Sequence, residues 1–244
     1  MTYGTLSVLH AHRAALPQFL ALRSVPPPPP QARSAVLCGE QSVAHIAART
    51  AAAAVDRGVA VAIIDAALAF DVTVVTAYAQ ARRVPPELFL RQIHIARAFT
   101  CHQLTTLLCE RLDPLLASHH IGLVVLLGPC TTFVDEHVPF KEAFFLFQRA
   151  LRKIRELCQH GPLLLMAQGL DPHATRRIAF VRELVHAVEV GIWIRTVDGR
   201  RHVQLLKPRA PGTPQVFPSR SMLQQPEVAQ DGPNASPRQS AHRA

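Results

Sequence analysis

The stretch Val59-Ala60-Val61-Ala62-Ile63-Ile64-Asp65 decides the fold class. It is almost wholly apolar, rich in β-branched residues and closed by a carboxylate. A short apolar run of this kind reads as a strand covered on both faces, because a half-exposed strand would alternate polar and apolar residues. Similar runs recur on either side. Residues 34–38 form a first strand ending at Gly39, and residues 93–97 (IHIAR), 123–127 and 163–167 give a third, fourth and fifth.

Between the strands the period changes. Residues 44–56 are mostly alanine, the best helix former. Residues 73–83 continue the helical pattern, with a further piece at 85–91 after a break. Residues 103–119 carry Leu104, Leu107, Leu108, Leu112, Leu115 and Leu116 at helical spacing, and residues 141–160 form a long helix. Buried strands alternating with amphipathic helices predict an α/β fold, mainly a parallel sheet with helices on both faces. Residues 188–196 and 202–207 flank Asp198-Gly199, a turn signal that predicts a C-terminal antiparallel hairpin.

The flanks differ from this core. Residues 1–33 read as a short helical segment followed by a linker, with an unbroken proline run from Pro26 to Pro30 that favours extended polyproline II. From Pro208 the chain is rich in proline, serine and glutamine. The expected organisation is a core over 34–217 and a disordered tail over 218–244.

Composition narrows the function classes only partly. The chain has 244 residues and a formal net charge of +9, carried by 23 arginines and 3 lysines. A basic balance admits nucleic acid, an acidic protein or an anionic surface as partner. No apolar stretch reaches the ~20 residues of a membrane span, and no signal peptide is evident, so the expected location is cytoplasmic, with nucleoid association if DNA is bound. The five cysteines include no C-x-x-C pair, and are expected as reduced thiols. His10, His12, His119, His120 and His173 lack metal-motif spacing, and no metal or cofactor is expected.

The order of these pieces resembles the RecA/RadA family of recombinases, closest to its archaeal and eukaryotic branch, from about residue 35 to about residue 217. Four stretches carry the resemblance: Ala96-Arg97-Ala98-Phe99 with His102-Gln103 and Leu107-Leu108, residues 123–133, residues 163–168, and residues 203–214 (VQLLKPRAPGTP). The resemblance implies a RecA-like core and a phosphate loop after the first strand. A working loop reads G-x-x-x-x-G-K-[ST], with backbone N–H groups and the lysine holding phosphates and the hydroxyl holding Mg²⁺. Here the corresponding residues are Gly39, Glu40, Gln41, Ser42, Val43, Ala44, His45 and Ile46. The second glycine is replaced by Ala44, the lysine by His45 and the hydroxyl residue by Ile46. Ala67 stands where the family's water-activating glutamate belongs. Leu127 or Gly128 stands where the Walker B aspartate belongs. Gly39 and Glu40 match the family's loop, and of the catalytic set only Gln168 remains, as the glutamine that senses the γ-phosphate.

Loss of so many charge-stabilising groups predicts a degenerate nucleotide pocket with no ATP hydrolysis, and therefore no catalytic residues. The resemblance then implies a pseudo-ATPase accessory of DNA recombination or repair, which binds single- or double-stranded DNA or a recombinase. DNA-binding candidates are Lys141, in the loop over residues 134–141 with Asp135 and Glu136, and Arg176 and Arg177, in the loop over residues 169–178. Two alternatives stand beside it. One is a protein-interaction scaffold outside recombination. The other is a non-hydrolysing nucleotide-binding regulator using Gly39, His45 and Gln168. Another doubly wound α/β fold, with residues 39–46 an ordinary turn, is the alternative to the RecA-like core. In the helix over 141–160, Phe144, Phe147, Leu151, Ile154 and Cys158 are expected on the core stripe, with Arg149, Arg152, Lys153, Arg155 and Gln159 spread over the remainder.

Overall fold

A computed structural model describes residues 31–40, 42–170, 175–197 and 200–207. The expected N-terminal helical segment, the proline run, the turn at 198–199 and the tail lie outside these residues.

Seven strands form one sheet in the order β3-β2-β4-β5-β1-β6-β7. They are β1 (Ser34–Gly39), β2 (Val61–Asp65), β3 (Ile93–Arg97), β4 (Leu123–Leu127), β5 (Leu163–Gly169), β6 (Val190–Val197) and β7 (Arg200–Lys207). All neighbours pair in parallel except β6 and β7, which run antiparallel. The sheet is therefore mainly parallel, as the apolar runs require.

Strand residues alternate between two cores. On one face Ala35, Leu37, Val61, Ile63, Val125, Leu127 and Leu165 pack against α1 (Ser42–Val55), α2 (Val72–Ala81) and α3 (Pro86–Leu90). On the other, Val36, Cys38, Ile64, Leu126 and Met166 pack against α4 (Cys101–Thr106), α5 (Leu112–His119), α6 (Phe140–His160) and α7 (Thr175–Ala187). Both faces of the central strands are thus dry. The buried alanines of α1 (Ala47, Ala48, Ala51, Ala52 and Ala54) combine high helix propensity with minimal bulk, so this helix can pack closely.

Three local features differ from the sequence expectation. First, α4 and α5 are joined by a π-helical turn, Leu107–Arg111. Pro114 explains it: proline lacks an N–H and its ring crowds the preceding turn, so the helix widens one turn earlier. Second, residues 169–178 are not one loop. β5 runs to Gly169 and α7 begins at Thr175, where Phe180, Val181, Leu184 and Val185 enter the core. Third, the core stripe of α6 is shifted. Ala143, Leu146, Phe147, Ala150, Leu151, Ile154 and Leu157 are buried, whereas Phe144 is exposed and Cys158 only half-buried. Lys153 is buried, at 7% exposure, because its ammonium is satisfied by Asp113 at 2.7 Å and Glu156 at 2.9 Å. Burial lowers the Lys153 pKa, but these two carboxylates outweigh it and leave the group above its ordinary value.

Candidate functional site

The carboxyl ends of the strands lie in register along one edge of the sheet: Asp65 beside Leu127, and Leu127 beside Ala167. This is the edge where open α/β sheets bind ligands. Gly39, Glu40, Ala67, Leu127 and Gln168 all belong to it, so the sheet gathers the residues singled out in sequence.

The turn after β1 is short. Gly39 has φ +144°, and a Cβ there would stand 1.8 Å from the Ile194 carbonyl oxygen, so only glycine fits. Glu40 then turns toward β6, where its Oε1 accepts from the Thr196 amide at 2.7 Å. Helix α1 starts at Ser42. Ala44, His45 and Ile46 therefore stand inside the first turns of a helix rather than in a loop that wraps a phosphate. Ile46 is buried in the core with Val43, and His45 is exposed. A phosphate cradle needs several successive N–H groups converging on one point. With α1 starting three residues after Gly39, the backbone between β1 and α1 is too short to supply the family's loop.

Gln168 is fully buried and its amide is occupied. Its Oε1 accepts from the Cys130 amide at 2.7 Å, and its Nε2 donates to the Gly169 carbonyl at 2.7 Å and lies 3.4 Å from Thr131 Oγ1. The side chain clamps the end of β5 to the turn after β4. Gly128 closes the same region with φ +64°; a Cβ there would meet Ala67 Cβ at 2.5 Å. Ala67 and Gly128 thus touch where the resemblance places a glutamate and an aspartate. Leu127, the other Walker B candidate, is core.

One residue of this edge was passed over in the sequence. Asp65 is fully buried. Its Oδ1 accepts from the Ala67 and Ala69 amides at 3.2 and 3.1 Å, and its Oδ2 from the Phe70 amide at 3.0 Å. Arg97 Nε approaches Oδ2 at 3.9 Å. The carboxylate ties down the loop between β2 and α2 instead of facing a ligand. A lone aspartate closing an apolar run was the available signal.

A crevice on this edge lies between the exits of β2, β3 and β4, with a volume of about 470 Å³. Ala66, Ala67 and Ala98 supply apolar wall, Thr131 and Thr132 hydroxyl groups, Phe99 an aromatic ring, and Asp135 and Glu136 carboxylates. β2 connects toward β3 and β4 toward β5, in opposite directions across the sheet, so the crevice sits at a topological switch point. The 3-10 turn Thr131–Val134 carries one wall.

The DNA candidates divide. Lys141 lies exposed in the first turn of α6, just after Asp135, Glu136 and His137. Asp135 is held by the amide and ring of His137, which keeps its carboxyl below the ordinary range. Arg176 and Arg177 stand at the start of α7. Elsewhere, several exposed arginines are paired: Arg149 with Glu110, Arg155 with Glu183, and Arg82 with Asp56. Among the described residues no group of three or more His, Cys, Asp or Glu side chains is placed to hold a metal ion, and no helix is long and apolar enough to cross a membrane. The cysteines are free thiols, and burial pushes Cys38 up to about 12.

No protein-family model matches the chain, and no curated protein matches it.

Proposed function

We propose that this chain is a RecA-like core that has given up nucleotide chemistry and works as a binding protein, an accessory in DNA recombination or repair. The observation that carries the non-hydrolysing part is the path of the chain after Gly39: three residues later it is already helix, and Gln168 spends its amide on Cys130 and Gly169. The strand order and the placement of Gly39, Ala67, Leu127 and Gln168 along one edge support the RecA-like part. With no lysine, no Mg²⁺ hydroxyl and no acid at the Walker B position, the transition state of phosphoryl transfer has nothing to stabilise it.

Protein contact is favoured over DNA as the mode of action. The turn after β4 presents Asp135 and Glu136, and phosphates are repelled by carboxylates at short range. Exposed phenylalanines follow directly on α6. The DNA reading rests on Arg176 and Arg177 at the start of α7.

Affinity capture with the full chain, from extract in which DNA has been digested, tests this function. Enrichment of a recombinase or another recombination or repair protein is the expected result. Capture of neither, together with no binding to single-stranded DNA at low salt, contradicts it.

A further inference from the structure

The crevice between β2, β3 and β4 carries two independent signs of a ligand. First, it holds carboxylates, Asp135 and Glu136, in a protein of net charge +9. Second, its rim is apolar and exposed: Phe99 is 64% and Leu68 55% exposed. Helix α6 also exposes Phe140, Phe144 and Phe145. His102 Nε2 lies 3.1 Å from Glu142 Oε1, which joins the first turn of α4, directly after Phe99, to the first turn of α6. Clustered apolar surface with a polar pocket marks a protein contact more than a small-molecule site.

We propose that this crevice docks a protein partner that inserts a lysine or arginine side chain flanked by apolar residues. The cation meets Asp135 and Glu136, and the flanking apolar residues cover Phe99 and Leu68. The volume of about 470 Å³ accommodates a long side chain with part of its backbone. The same carboxylates exclude nucleic-acid phosphate from this position. The inference uses only the chemistry of the crevice and stands whether or not the partner belongs to recombination.

The test is fluorescence polarisation of the full chain at low salt with a fluorescein-labelled peptide, Gly-Ser-Phe-Leu-Arg-Phe-Lys-Ser-Gly. A second peptide carries glutamate in place of both cations. The cationic peptide is expected to bind saturably and the acidic one not. The double variant Asp135→Asn with Glu136→Gln is expected to weaken binding by ~10-fold or more, since the cation loses both its charge partners. Both carboxylates are exposed, so the variant folds, which circular dichroism verifies. Phe99→Ser is expected to weaken binding of the peptide at high salt as well. Glu110→Gln, a carboxylate outside the crevice, is expected to leave it unchanged. Absence of saturation at millimolar peptide, equal binding of the acidic peptide, undiminished affinity in the double variant, or displacement by oligothymidine would each overturn the proposal.

Discussion

Gln168 Oε1 and the Cys130 amide lie 2.7 Å apart, a buried hydrogen bond that joins the end of β5 to the turn after β4. Beside it, Gln168 Nε2 donates to the carbonyl of Gly169. The one residue that matched the family's catalytic set is therefore a structural clamp, and its role is measured in stability. Gln168→Met fills similar volume but leaves the Cys130 amide unsatisfied. Urea denaturation is expected to show a loss of about 1–3 kcal/mol. A variant as stable as the parent contradicts the clamp.

Asp65 anchors a different segment by the same physics. Three amides, those of Ala67, Ala69 and Phe70, converge on its two oxygens. Asp65→Ala strands them at or below the surface and is expected to cost about 3 kcal/mol or more. Amide exchange should accelerate first in residues 66–70. Uniform acceleration across the domain contradicts local anchoring.

Lys153 provides a sign test. Its ammonium is nearly buried, but Asp113 and Glu156 are each more than half exposed. Lys153→Met leaves both carboxylates in water and keeps the packed stem, so its expected effect is within about 1 kcal/mol of zero. Lys153→Ala also removes the stem and is expected to cost more. Equal losses in the two variants contradict a stabilising role for the stem.

His94 and His119 face each other edge to face, with ring centroids 4.2 Å apart. Desolvation first, and the charge of His119 second, lower the His94 pKa below its ordinary 6.5. The native state thus resists protonation that the unfolded chain accepts. This contribution to stability is complete above about 6.5 and is lost as pH falls through it. A chemical-shift titration is expected to place the His94 midpoint below 6.5, and His119→Ala to raise it. A midpoint at or above 6.5 contradicts the pairing.

Much of the fold was legible because its strands are buried on both faces. Runs such as Val61–Asp65 and Leu123–Leu127 have little alternative to strand, and their spacing left room for helices between them. Helix α7 was half hidden: Arg176 and Arg177 resembled a charged loop, although Phe180, Val181, Leu184 and Val185 had helical spacing. The stripe of α6 was misplaced because Phe144 is as apolar as Phe147, and only packing distinguishes an exposed ring from a core one. The site was the least legible part. Sequence motifs align residues by number, so residues 39–46 looked like a decayed loop, whereas the chain enters a helix at Ser42. Nor does any local pattern show that Gln168 meets Cys130, 38 residues earlier.

The proposed loss of triphosphate binding at the turn after Gly39 is measurable by calorimetric titration of the full chain with ATP and Mg²⁺. No saturable heat is expected at millimolar nucleotide. Saturable, Mg²⁺-dependent binding that disappears in His45→Ala would overturn the proposed function, and phosphate release lost in the same variant would do so more strongly still.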